Sequence, residues 1–192
     1  MADQGRQGTK QRMLDSAVLL LRERGAAGVT VDAVLAHSGA PRGSVYHHFP
    51  GGRNEIVLGA VRQAGDFITA MVEDSASEGD VQQTLDRLVL FWKRALTKTD
   101  YRAGCPVAAM ASDSRDLVPD AGEVVREIFA RWHASLTDVL CASGFPAPRA
   151  HRLATLVVSA IEGAVILCRA DRDLGPLDDV LVEMTSLLER RD

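Results

Sequence analysis

TVDAVLAHSGAPRGSVYHHFPGGR, residues 30–53, is the stretch whose reading decides the fold. Thr30 precedes a short run in which Val31, Val34 and Leu35 recur at helical spacing, so its hydroxyl is placed to cap a helix. Gly39 ends that run, because glycine readily takes the left-handed backbone of a helix C-terminus. Pro41 stands where a further short helix begins, its fixed φ suiting a first turn. Val45 and Phe49, one turn apart, are the expected core contacts of that helix. Two short helices about a Gly-centred turn have helix-turn-helix form. Pro50-Gly51-Gly52 then breaks the chain before a long helix.

Working outward, every other periodic segment also reads as helix. Val and Thr form no alternating runs, and no Asn-Gly or Asp-Gly hairpin signal occurs. Thr9 is expected to cap a first helix that Gly25 ends, with Leu14, Ala17, Val18 and Leu21 as its buried stripe. After the motif, a fourth helix is expected from about Arg53 to Asp74, and a polar connection from Ser75 to Asp80. A fifth, carrying Leu85, Leu88, Val89 and Trp92 on one face, runs to about Lys98. Cys105-Pro106 opens a short helix to near Asp113, Pro119 a long one to Cys141, and Pro148 another to about Ala170. The turn Asp173-Leu174-Gly175-Pro176 precedes a last helix ending near Arg190. The expected fold is all-α with about nine helices: a helix-turn-helix domain over residues 1–52 and a larger helical domain over 53–192.

The polar positions of the second short helix carry the chemistry. Arg42, Ser44, Tyr46 and His47 can reach base edges or phosphates. Gly43 costs a helix roughly 1 kcal/mol against alanine, which makes sense where another backbone must approach closely. A surface helix with a few polar residues is the bland alternative. Charge distribution favours the first reading. Net charge is −4, yet residues 1–53 hold seven basic and four acidic side chains, and the rest hold fifteen and twenty-two. A basic segment on an acidic body suits a nucleic-acid partner.

The run from Thr30-Val31-Asp32 through Gly39-Ala40-Pro41-Arg42-Gly43-Ser44-Val45-Tyr46-His47-His48-Phe49, followed by Gly51-Gly52-Arg53, closely resembles the DNA-binding domain of TetR-family transcriptional regulators. The resemblance is strong over about residues 8–60. Pro41 and Gly104-Cys105-Pro106 resemble one branch of that family, whose members answer to multidrug or aromatic compounds. It implies that Arg42, Ser44 and His47 point toward a major groove, that Tyr46 meets the backbone, and that Thr30 binds a phosphate. It implies that Arg53, where lysine is more common in the family, joins the amides of the fourth helix in holding another. Val34, Val45 and Phe49 are then core, and His48 a partly buried structural histidine.

A two-fold operator needs two such motifs about 34–36 Å apart or a multiple of that, so a homodimer is expected on double-stranded DNA. The last two helices are the expected interface: Leu156, Ala160, Gly163, Ala164 and Leu167 on one, Leu181, Met184 and Leu188 on the other. The alternative is that these stripes face only the chain's own core. The remaining helices would house a small-molecule effector site. Phe67, Met71, Phe91, Trp92, Cys105, Met110, Phe129, Trp132 and His133 are its candidate lining, with Glu162 a further polar contact. Cys105 is either packing or, with a lowered pKa, a sensor.

Other functions find less support. GxSxG, HExxH, P-loop and dinucleotide glycine patterns are lacking, so the chain is not read as an enzyme. No cofactor or metal is expected: Cys105, Cys141 and Cys168 lie far apart, and adjacent His47 and His48 point different ways on a helix. The apolar run from Leu153 to Cys168 contains Glu162 and is short for a bilayer, so no membrane partner is expected. With a polar N-terminus, the expectation is a cytoplasmic, ligand-responsive repressor. A helical enzyme or a protein-interaction module without a DNA role is the alternative.

Overall fold

In the computed structural model, which describes residues 2–76, 80–112 and 118–189, the described residues form nine α-helices and no strand. They are α1 (Ala2–Arg24), α2 (Val31–Ser38), α3 (Val45–His48), α4 (Gly52–Ala76), α5 (Val81–Lys98), α6 (Pro106–Ser112), α7 (Ala121–Ala142), α8 (Ala147–Asp171) and α9 (Gly175–Glu189). Two 3₁₀ turns, Ala26–Gly28 and Arg42–Ser44, complete the motif region. The expected all-α architecture is therefore observed, and most helix ends follow local signals. Thr30 caps α2 by accepting the Ala33 amide at 3.1 Å. Gly39 closes it with φ of 65°. Asp80 caps α5 by accepting the amides of Gln82 and Gln83.

Three details differ from the sequence reading. The first helix starts at Ala2, so Thr9 lies inside it and accepts a hydrogen bond from Arg12 instead of capping. Its buried stripe is Met13, Ala17, Leu20 and Leu21, whereas Leu14 and Val18 are only half-buried. Gly175 and Pro176 belong to the first turn of α9, and Asp173 before them accepts the Gly175 amide at 2.7 Å. Of the connection expected over Ser75 to Asp80, residues 75 and 76 belong to α4, and residues 77–79, like the helix end near Asp113 and the last helix end near Arg190, lie outside the described residues.

The helices pack as two compact units. The described residues up to Gly65, with Cys105–Arg126, form the first; Asp66–Gly104 and the described residues from Glu127 onward form the second. α4 and α7 each contribute residues to both. In the first unit, α1 packs on α2 and α6 around Met13, Ala17, Leu21, Val34, Val45, Phe49, Ile56 and Val57, all essentially inaccessible to solvent. Ser16, buried in α1, donates to the Arg12 carbonyl at 2.8 Å. Its 3.0 Å contact with His37 Nδ1 ties α2 to α1.

In the second unit, α5, α8 and α9 pack on one another. α8 has the length and mean hydropathy of a bilayer span. It buries Leu153, Ala154, Val157, Ile161, Ala164, Val165 and Cys168 along one face within the protein. The 99–104 turn is fastened to its C-terminal end: Arg172 pairs with Asp100 at 2.6 Å, and Arg169 donates to the Arg102 carbonyl at 3.0 Å.

Candidate nucleic-acid interface

The segment Arg42–His48 is held by its apolar side and offers its polar side. Val45 and Phe49 are 0% and 2% exposed, while Tyr46 is 69% exposed, and Arg42, Gly43 and His47 are exposed with it. Only the last turn of the segment is α-helical. The first is a 3₁₀ turn, in which Ser44 donates from both its amide and its hydroxyl to the Pro41 carbonyl. The Ser44 oxygen keeps its lone pairs for an incoming donor.

Gly43 has an informative environment. Its φ is not in the left-handed region, and a Cβ placed on it meets no atom within 4 Å. Neither backbone strain nor crowding within the chain requires a glycine there. His48 is half-buried, edge-on to His47 at 4.9 Å between ring centres.

Arg53 is placed differently from what the resemblance implied. Its Nε donates to the Val29 carbonyl at 2.7 Å and one Nη to the Ala26 carbonyl at 2.5 Å. The guanidinium thus fastens the 3₁₀ turn before α2 to the first turn of α4. At the start of α4, the Gly51 amide is occupied by the Glu55 carboxylate at 2.8 Å, which puts an anion where a phosphate was expected. Thr30 is exposed, but its hydroxyl oxygen is engaged as the α2 cap. In the last turn of α1, burial pulls the Arg22 guanidinium below its usual range, while Cys105 and Glu23 pull it back up.

Residues 13–59 match the family model for bacterial regulatory proteins of the tetR family, and residues 82–183 match the C-terminal domain of LmrA/YxaF-like transcriptional regulators. The chain is 44% identical over 187 residues to an uncharacterized HTH-type transcriptional regulator of Mycobacterium tuberculosis, covering 95% of both chains. The chain belongs to the TetR family. It is a DNA-binding transcriptional regulator and not an enzyme. HTH-type regulators of Bacillus subtilis are more distant TetR-type relatives: YxaF at 27% identity and LmrA at 25%, each covering 95% of this chain. A TetR regulator from Legionella pneumophila shares the TetR fold at 21% identity, with a TM-score of 0.80 over 93% of this chain and 96% of its own.

The TetR body, formed by the second unit, holds a small apolar cavity. Ile68 and Val72 of α4, Leu88 and Trp92 of α5, Trp132 and Leu136 of α7, and Val157, Val158, Ile161 and Glu162 of α8 line it. Of the nine lining residues expected, it brings together Trp92 and Trp132. Phe67 is 54% exposed and stacks at 5.3 Å on half-buried Phe91, outside the lining. Met71 and Phe129 are half-buried elsewhere, and His133 binds the His151 carbonyl and the Thr155 hydroxyl. Cys105 and Met110 are buried in the first unit, where the Cys105 sulfur accepts the Ala108 amide. Sequence reasoning missed the branched aliphatics, which carry no signal separating a cavity wall from any other core position.

Of the expected interface residues, Ala164, Met184 and Leu188 are buried within the chain itself. Leu156 and Leu167 are exposed, and Ala160, Gly163 and Leu181 are half-exposed. Ile166 and Val182, not anticipated, extend the exposed apolar surface of α8 and α9.

Proposed function

We propose that this regulator is a homodimeric repressor, released from a two-fold operator when an apolar or aromatic effector enters the body. In this reading residues 1–52 are the reading head and 53–192 the sensing and pairing part, acting in the cytoplasm. Arg42, Gly43, Ser44, Tyr46 and His47 face the duplex. Leu156, Ala160, Gly163 and Leu167 of α8, with Leu181 and Val182 of α9, pair with a second copy. Small residues at 160 and 163 let helices approach closely, and the exposed leucines supply apolar area.

The cavity is the observation that carries the effector reading. Its walls are apolar and include two tryptophans, and Glu162 is its acidic member. Its free volume, about 30 Å³, admits a water or two, against several hundred Å³ for a typical ligand site. An effector must therefore open it, displacing Ile68 and Val72 of α4. The first turn of that same helix is bonded to the end of the recognition helix, Gly52 amide to Phe49 carbonyl at 2.8 Å. An effector that binds only the opened state shifts the population away from the DNA-binding one.

The test begins with duplexes selected by the protein from a random pool. Tyr46→Ala is expected to abolish binding to them in fluorescence anisotropy. A compound that raises the melting temperature and perturbs tryptophan fluorescence is expected to release the duplex. If compounds that bind the body leave DNA affinity unchanged, the release mechanism is wrong.

A further inference from the structure

Asp32 lies in the first turn of α2, and Arg42 opens the 3₁₀ turn leading into α3. Arg42 Nη2 donates to Asp32 Oδ1 at 3.2 Å, with the side chains 86% and 79% exposed. The fold does not need this pair. α2 is already capped by Thr30, the described contact of the Asp32 carboxylate is Arg42 rather than an α2 amide, and ion pairs this exposed contribute little to stability. A carboxylate beside a DNA-facing arginine also opposes attraction to phosphates. Its consequence falls on the partner.

We propose that Asp32 sets the specificity of DNA binding through Arg42, an inference that rests on the duplex-facing placement of Arg42 given above. Toward phosphates the pair is electrically neutral, so the sequence-independent attraction that dominates non-specific binding is reduced. Toward a guanine edge, recognition depends on a correctly aimed guanidinium fork more than on net charge. One N–H on Asp32 leaves the others free to fork onto the O6 and N7 acceptors. Asp32 is thus a positioning residue. It lowers affinity for the wrong duplex and orients Arg42 for the right one.

The experiment compares wild type, Asp32→Asn, Arg42→Ala and the double variant on two probes: a random-sequence duplex and a duplex selected by the wild type. Asp32→Asn frees one cation per motif for phosphate. On the random duplex, at about 0.1 M salt, binding is expected to tighten about fivefold, with a salt slope steeper by about one per motif. On the selected duplex the gain is smaller or reversed, so the ratio of selected to random affinity falls about fivefold. In the Arg42→Ala background, Asp32→Asn is expected to change neither. An unchanged ratio overturns the proposal. So does equal tightening with and without Arg42, which would mean Asp32 merely repels DNA. If Tyr46→Ala abolishes binding while Asp32→Asn has no effect, the DNA face stands and only this inference falls. If the wild type binds no duplex, both fall.

Discussion

Gly43→Ala separates the needs of the fold from those of the duplex, because the two predict opposite signs. The glycine has ordinary backbone angles, is exposed, and has 4 Å of open space around the position a methyl would take. Alanine there loses less conformational entropy on folding, a gain of about 0.4–1 kcal/mol. For a domain of this size that raises the melting temperature by roughly 1–4 °C. Against DNA the same methyl stands in the turn that carries Arg42 and Ser44. Forcing an extra carbon into a close-packed interface costs about 1–3 kcal/mol, or roughly five- to a hundredfold in affinity. Thermal unfolding by circular dichroism and anisotropy on a selected duplex measure the two effects on one preparation. A more stable protein with weakened DNA binding is the expected pair. A variant that melts higher and binds equally well refutes the reasoning, since the bare backbone would then serve neither partner. One that melts lower shows that the glycine serves the fold.

Other substitutions probe the frame, the pairing surface and the thiols. Arg53→Met keeps the bulk but strands the Ala26 and Val29 carbonyls, and urea unfolding should show a loss of about 2 kcal/mol or more. Leu167→Asp puts a charge on the exposed apolar face of α8 and should convert the proposed dimer to a monomer in sedimentation, with helix content kept. A thiol reagent should modify exposed Cys141 in the native protein and reach buried Cys105 and Cys168 only on unfolding. Burial, with the nearby acids Asp173, Asp178 and Asp171, pushes the Cys168 thiol up, outweighing the Leu177 backbone hydrogen bond that lowers it. The unfolded chain therefore releases that proton first, and stability should decline as pH rises past about 8.5, a decline that Cys168→Ala removes.

What the sequence displayed was whatever local chemistry dictates. Thr30 and Gly39 bound α2 through their own side chain and backbone, so a reader of the sequence finds them where the structure does. Val45 and Phe49 are legible as core because they are the apolar members of an otherwise polar segment. The stripe of α1 was misplaced because Val18-Leu19-Leu20-Leu21 is apolar all round the helix, and only packing decides which side turns inward. The early start of α1 carried no apolar periodicity to read. The cavity was legible only in part for a similar reason. Phe67 and Ile68 are neighbours, but one helical step turns a side chain by about 100°, and it is Ile68 that faces the cavity. Arg53 resembles a phosphate ligand in sequence, and its engagement by two carbonyls depends on a turn 24 residues away.

The recognition helix cannot hold its own geometry. Four residues of α-helix and one 3₁₀ turn fall far below the length at which a helix is stable alone, so its placement belongs to its supports. Those supports are the buried Val45 and Phe49, the Phe49 carbonyl held by the Gly52 amide, and the α4 turn that Arg53 fastens to the 3₁₀ turn before α2. Two of the three involve the first turn of α4, which is why the proposed release mechanism runs through that helix. The energy required is moderate. Moving a two-state equilibrium from about 1:99 to 99:1 takes about 5.5 kcal/mol of differential binding. Burying about 200 Å² of apolar effector surface supplies about 5 kcal/mol. In the proposed mechanism the cavity as it stands has free volume for only a water or two, so an effector of that size displaces its walls on binding, and the contacts made only in the displaced state act as the differential. On the proposed mechanism a narrow cavity walled in part by α4 favours a sensitive switch, since a roomy one would bind effector in both states and lose part of its leverage.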